Sequence, residues 1–523
     1  MTEQREVRVA GLRELRDGEL KRVELGEEKI LLARSGGRVY AVGAECPHYG
    51  APLEDGALHG ERLVCPWHHA CFNVATGANE EPPALDGLPR YAVRLDGDDV
   101  LVTFPPDPAP TTPAPSGGDE RVFAIVGAGA AGQAAAEALR RQGFAGRIVL
   151  IASAESLPPD RPSLSKEYLS GEVGAKLVPL RPEKFYAQRG IELRRGATVE
   201  RIDVAARTLH LAGGERLAYD ALLLAPGATP RPLELPGAEL PRVFLLRSVA
   251  DCERILAAAK GARRAVVVGA SFIGMEVAAS LRERDLDVTV VAPDAVPYAR
   301  VLGEEIGRMF QRLHEEHGVQ FRLGAKPACI EGEGNVEAVV LESGERIAAD
   351  LVVAGVGVKP AAGAIAGLDV DERGALAADA TLRVADGVWA AGDSASFPDQ
   401  QTGERIRVEH WRLAQQHGRH AARAMLGGAE PFAGVPFFWT KQFGLSLRYV
   451  GHATHWDELI TWGDTDKREF ITFYVAGGRV VAAAGVKRDT ELAAIEELMR
   501  VGKMPPPEAL RGGEVDLRAA IRR

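Results

Sequence analysis

Val122-Phe-Ala-Ile-Val126-Gly127-Ala-Gly129-Ala-Ala-Gly132 decides the architecture of this chain. A short apolar run leads straight into a G-x-G-x-x-G motif. An Ala-rich helix to about Gln142 and a second apolar strand, Arg147–Ile151, follow. A lone glycine motif says little, but strand, motif, helix and strand in this order predict a dinucleotide-binding βαβ unit. Gly127, Gly129 and Gly132 let the backbone approach a pyrophosphate at the helix N-terminus. The unit recurs as Ala265–Val268, Gly269-Ala-Ser271-Phe-Ile-Gly274-Met-Glu276, a helix to about Arg284 and strand Val288–Val291. Ser271 replaces the middle glycine. Two such units imply two dinucleotides, one FAD and the other NADH or NADPH.

Upstream stand Cys46-Pro-His48 and Cys65-Pro-Trp-His68, with residues 49–64 between them. Each loop offers one thiol and one imidazole. Two sulfurs and two histidine nitrogens are the ligand set of a Rieske [2Fe–2S] centre. Neutral imidazoles raise such a cluster's potential into about −150 to +300 mV, so it accepts single electrons. The same four side chains could make a tetrahedral zinc site. A zinc finger usually pairs like with like, whereas each half-site here is mixed and set among Pro and Gly. The C-x2-H spacing favours His68 over its neighbour His69. His59 reads as a surface residue and Cys71 as a buried or free thiol. The first loop continues Tyr49-Gly50-Ala51 with no second Cys to cross-link the loops, which resembles the ferredoxin type. Pro47 and Trp67 are expected to shield the cluster, with exposed His48 and His68 edges passing electrons.

Residues 1–104 read as short alternating strands, Val7–Val9, Lys29–Ala33, Arg38–Val42, Leu63–Val64, Tyr91–Leu95 and Val100–Phe104. Pro105–Gly118 then holds six prolines in a polar tract. Fully extended it reaches roughly 45 Å at about 3.1 Å per residue. It is either a tether for the cluster module or a loop packed flat against its neighbour. A length of 523 residues allows several domains. Net charge −10 argues against nucleic acid and anionic membrane partners. Five cysteines, three of them in or beside the cluster motif, give no disulfide framework. The N-terminal residues lack the apolar core of a signal peptide. No apolar run reaches the roughly 20 residues that span a bilayer, so a cytoplasmic location is expected.

The chain resembles the pyridine-nucleotide:ferredoxin reductases and the apoptosis-inducing-factor-like flavoproteins, in the subgroup with an N-terminal Rieske domain. The resemblance rests on both glycine motifs, on Leu222-Leu-Leu-Ala-Pro-Gly227, on Asp350-Leu-Val-Val-Ala-Gly355 and on Val388-Trp-Ala-Ala-Gly392-Asp393. It rests also on Pro158-Pro-Asp160-Arg161-Pro162-Ser-Leu-Ser-Lys166, on Val408-Glu-His-Trp411 and on Phe438-Trp439-Thr440. It implies a multidomain fold: a Rieske module (1–104), a Pro-rich linker (105–120), a Rossmann-like FAD domain (121–240 and 351–430), a Rossmann-like NAD(P) domain (241–350) and a C-terminal α+β interface domain (431–523). It implies that Gly392 and Asp393 meet the flavin ribityl chain and that Trp411 and Trp439 approach the isoalloxazine. Lys166 would sit near flavin N5, paired with Glu276, where a cation stabilises reduced flavin. Arg161 and Arg247 would contact the phosphates or the adenine side.

Two departures matter. The acid expected about 20 residues after each fingerprint, to bind a ribose 2′-hydroxyl, is not clear in Ala152-Ser-Ala-Glu155 or in Val291-Ala292-Pro-Asp294. The choice between NADH and NADPH therefore stays open. Where thiol-disulfide reductases of this fold carry a redox Cys pair, this chain has Ser163-Leu-Ser-Lys166, so dithiol exchange is excluded. The expected activity is electron transfer from NAD(P)H through FAD to the Rieske cluster and on to a ferredoxin or oxygenase-type acceptor, by a monomer or homodimer. The alternatives are a redox-sensing flavoprotein and an NAD(P)H oxidase.

Overall fold

A computed structural model describes residues 5–513 and 515–522. Val122–Val126 is hydrogen-bonded in parallel between Arg147–Ile151 and Ala221–Leu224, and the sheet extends through Ile191–Arg194 on one side and Val388–Ala390 on the other. Arg264–Val268 repeats this arrangement between Asp287–Ala292 and Leu351–Ala354. The motif glycines show why no other residue serves. A Cβ on Gly132 would lie 1.8 Å from the Gly127 carbonyl oxygen, and one on Gly274 2.1 Å from that of Gly269. Gly127 and Gly269 themselves take φ of +100° and +112°, backbone that side chains with a Cβ rarely adopt.

The N-terminal region is all β. Leu20–Leu25, Glu28–Ser35, Arg38–Gly43 and Arg90–Tyr91 form one antiparallel sheet, and Arg5–Gly11, Asp99–Phe104 and Val93–Asp96 a second. A third sheet, Ala57–His59, Arg62–Val64, Cys71–Asn73 and Asn79–Glu81, carries the cluster loops. The sequence does not predict Leu20–Leu25 or most of this third sheet. Strands of three residues are too short to display a period of two, and Leu20-Lys-Arg-Val-Glu-Leu25 places charges where alternation would be sought.

The C-terminal region is a five-stranded antiparallel sheet, with Phe437–Gln442 at one edge, packed on the helix Asp489–Arg500. The cluster-bearing sheet shares this region's core. Ala57, Val64 and Cys71 cluster with Phe437, Val450, Ile495 and Leu498. Polar contacts reinforce the junction: buried Arg412 pairs with Glu496 at 2.8 Å, and Glu496 meets His69 at 2.5 Å. His59, expected on the open surface, is instead half-buried and contacts Glu497 at 2.7 Å. Of the two readings for the proline tract, the packed one holds. Gly87 N–H donates to the Pro110 carbonyl at 3.0 Å, and Thr112 is fully buried with its hydroxyl 2.7 Å from Glu137.

Candidate functional site

The carboxyl ends of the first parallel sheet and the start of the second unit's helix, at Phe272, Ile273 and Glu276, face one cavity of about 330 Å³. Gly127, Gly129, Arg161, Lys166, Arg247, Gly392, Asp393, Trp411 and Trp439 line it, and Glu276 reaches it from the second unit. Gly132, Gly269, Ser271 and Gly274 lie off its wall, and the tight approaches of Gly132 and Gly274 assign them to helix–strand packing. The helix Ala130–Arg141 begins at Gly129 and the helix Phe272–Arg282 at Ser271, both without a side-chain cap. Uncapped first-turn N–H groups are ready donors for an anion.

The cavity fits a flavin dinucleotide. The Arg161 guanidinium lies over the glycine loop, with Nη2 3.4 Å from where a Cβ on Gly129 would stand. It also lies 6.0 Å from the Trp411 ring centroid. Its Nε is buried with no partner among the described residues, and burial pulls the group down to about 9. A buried cation with an unmet donor beside an uncapped helix suits a pyrophosphate. Arg247 meets Asp393 at 2.6 Å on the same wall. Lys166 Nζ lies 3.0 Å from Glu276 Oε2, both groups buried. At the second fingerprint the strand ends in buried Ala292, and the nearby Asp294 is paired with Arg300 at 2.6 Å.

The cluster loops lie beside this cavity. Cys46 and Cys65 are both buried in the module's core. His48 and His68 are half-buried, with Nδ1 atoms 3.1 Å apart. Burial pushes the His48 imidazole down to about 3 and that of His68 well below its ordinary range, so both are neutral, the form that ligates metal. Among the described residues no three His, Cys, Asp or Glu side chains gather to hold a single metal ion. One sulfur pair and one imidazole pair suit a binuclear cluster, with two protein ligands per iron, better than a four-ligand zinc ion. The histidines were expected at an exposed edge. Instead they face Trp439, with ring centroids 4.4 Å away for His68 and 6.3 Å for His48. Trp67 packs into the module's core, whereas Pro47 is exposed. Tyr49 donates to Asp160 Oδ2 at 3.1 Å, joining the cluster loop to the flavin-side stretch.

Sequence reasoning did not single out Ser165 and Thr440, which hold Glu276 at 2.5 and 2.7 Å. Both lie inside segments quoted for other reasons, and no spacing rule marks them. The Arg412–Glu496–His69 group was likewise invisible, because Glu496-Glu497 on an amphipathic helix reads as a solvated face.

Residues 122–418 match the pyridine nucleotide-disulphide oxidoreductase family, 5–92 the Rieske [2Fe-2S] domain and 437–521 the reductase C-terminal domain. The chain belongs to the pyridine nucleotide-disulphide oxidoreductase family, in a form that carries a Rieske domain. It is an oxidoreductase that uses FAD, NAD(P)H and a [2Fe–2S] cluster. Among its relatives, apoptosis-inducing factor 3 of Homo sapiens is 37% identical over 98% of this chain and 86% of its own length. Rhodocoxin reductase of Rhodococcus erythropolis is 34% identical over 76% of this chain and 94% of its own. Among solved structures, the covalent putidaredoxin reductase–putidaredoxin complex aligns with TM-score 0.73 at 32% identity, over 77% of this chain and 99% of that one. No helix among the described residues is long and apolar enough to cross a membrane.

Proposed function

We propose that this chain takes electrons from NAD(P)H at the Lys166–Glu276 side of its cavity and releases them one at a time through the cysteine–histidine loops to a ferredoxin or oxygenase-type acceptor in the cytoplasm. Bound FAD supplies the conversion of an electron pair into single electrons. Gly127, Gly129 and Arg161 hold the pyrophosphate, while Arg247 and Asp393 fix the chain between phosphate and ring. Lys166 places its ammonium beside the isoalloxazine, oriented by Glu276, and Trp411 and Trp439 exclude water there. Cys46 and Cys65 ligate one iron, His48 and His68 the other. Gly269, Ser271 and Gly274 shape the turn that receives the nicotinamide dinucleotide.

The observation that carries this reading is the 4.4 Å approach of His68 to Trp439, which itself lines the cavity. It supports a cluster whose histidine side stands against the flavin. A solved neighbour captured with putidaredoxin, and the ferredoxin reductases among the relatives, support an acceptor of the ferredoxin kind. The test is steady-state reduction of a purified [2Fe–2S] ferredoxin by NADH and NADPH, with intact protein and with His68→Ala. Loss of ferredoxin reduction in the variant supports the cluster as outlet. Equal rates would route electrons directly from flavin and reject it.

A further inference from the structure

Glu276 is the end of a longer buried chain of hydrogen bonds. Its Oε2 accepts from Lys166 Nζ at 3.0 Å and from the Ser165 hydroxyl at 2.5 Å. Its other oxygen, Oε1, accepts from the Thr440 hydroxyl at 2.7 Å. Thr440 Oγ1 in turn accepts from Gln442 Nε2 at 2.8 Å, whose second hydrogen goes to the Tyr298 hydroxyl at 2.7 Å. Gln442 Oε1 lies 2.7 Å from His314 Nε2. Thr440, Gln442 and His314 are each at most 1% exposed, so these groups have no water to fall back on.

The chain of bonds fixes every polarity. The Gln442 amide nitrogen can only donate, so Thr440 must accept from it and turn its own proton to Glu276. The amide oxygen can only accept, so His314 carries its proton on Nε2. That leaves Nδ1 bare, and Nδ1 is the His314 nitrogen without a partner among the described residues. Burial pulls this imidazole down to about 4, consistent with a neutral ring. Thr440 and Gln442 stand on the edge strand Phe437–Gln442, at the same face two residues apart. Neither lines the cavity, whereas Trp439, the residue before Thr440, does.

We propose that Thr440 and Gln442 are positioning residues of the flavin site: Thr440 clamps the second oxygen of Glu276, Gln442 locks the Thr440 hydroxyl as a donor, and the pair thereby fixes Lys166 beside the flavin. The C-terminal sheet then completes the reductase site, beyond its role as a seat for the cluster module. The inference rests on the assignment of Lys166 and Glu276 to the flavin ring. Removing the Thr440 hydroxyl strands a buried carboxylate oxygen, the costly half of a hydrogen bond to lose, and frees Lys166 to move.

The experiment uses the holoprotein with Thr440→Val, which keeps the shape and deletes the hydroxyl, and Thr440→Ser, which restores it. Flavin reduction is followed by rapid mixing over a range of NADH, and the midpoint potential of the bound flavin is read against a reference dye. Thr440→Val is expected to lower the limiting rate at least tenfold, with the NADH concentration for half-saturation unchanged, and to lower the flavin potential. Thr440→Ser is expected to restore the limiting rate to within about threefold of the parent and to return the flavin potential toward the parent's. If Thr440→Val does not retain flavin, Gln442→Met is read in the same way, with a slowing of at least threefold expected. A Thr440→Val protein that matches the parent, or a Thr440→Ser protein as slow as the Val variant, overturns the inference. Lys166→Met is measured alongside. If it too reduces at the parent rate, the assignment of Lys166 itself fails; if only it is slow, the positioning claim alone falls.

Discussion

The imidazole of His68 stands 4.4 Å from the indole of Trp439, ring centroid to ring centroid, at an interplanar angle of 47°. Trp439 belongs to the C-terminal sheet and lines the cavity; His68 belongs to the cluster loop. One aromatic side chain thus stands between the cavity and the cluster loop. Trp439→Leu is expected to slow cluster reduction by NADH at least about tenfold, or 1.4 kcal/mol in barrier, more than it slows flavin reduction. Trp439→Phe keeps a ring in place and is milder. Rapid mixing with optical and spin-resonance detection gives both rates, and equal slowing of both would assign Trp439 to the flavin alone.

The choice of His68 over His69 as ligand is open to direct trial. His68→Ala is expected to abolish the cluster's spin signal while the protein keeps its flavin absorbance. His69→Ala is expected to keep the signal, because His69 Nδ1 is already engaged by Glu496. The reverse pattern would reassign the ligand.

The junction between the cluster module and the reductase depends on Glu496. Burial raises this carboxyl, but Arg412, His69 and Arg62 outweigh burial and hold it at about 2. Its folded value lies below the unfolded value of about 4.3, so the stabilisation is full above about pH 5 and lost as pH falls toward 2, worth roughly 3 kcal/mol. Glu496→Gln at neutral pH leaves Arg412 buried without its counter-charge, which costs about 3–5 kcal/mol. Thermal melts from pH 7 down to pH 3 check the sign. The parent should lose stability along this range, and the variant should start lower and change less.

Gly132→Ala puts a methyl where 1.8 Å separates it from the Gly127 carbonyl oxygen. Flavin affinity is expected to fall at least tenfold, about 1.4 kcal/mol, by fluorescence titration of apoprotein with FAD. Gly363, exposed, with nothing near its missing Cβ and no left-handed backbone, is the control for loss of a glycine as such. An unchanged affinity in Gly132→Ala would mean that helix and strand can part without disturbing the site.

Much of this architecture is legible in the sequence because close backbone approach leaves a signature. Gly127, Gly132, Gly269 and Gly274 are required by contacts that any side chain would break, so strand, turn and helix are announced locally. Cys46, His48, Cys65 and His68 are legible for a similar reason: their chemistry is rare and their spacing short. What could not be read is long-range polar pairing. Glu276 and Thr440 meet across 164 residues, and Arg412 and Glu496 across 84, and ordinary residue types at such separations carry no mark of their partner. The packed course of Pro105–Gly118 was hidden in the same way, since a buried Thr112 is a tertiary fact and the prolines alone fit an extended tether equally well.

In the proposed route the flavin delivers electrons to the cluster of the same chain. Anaerobic rapid mixing with NADH, quenched by freezing and read for the cluster's spin signal at several protein concentrations, tests it most directly. Transfer within one chain is expected to reduce the cluster within the time of one turnover, at a rate independent of protein concentration. A cluster that stays oxidised while the flavin is reduced, or a rate that rises in proportion to protein concentration, would contradict it.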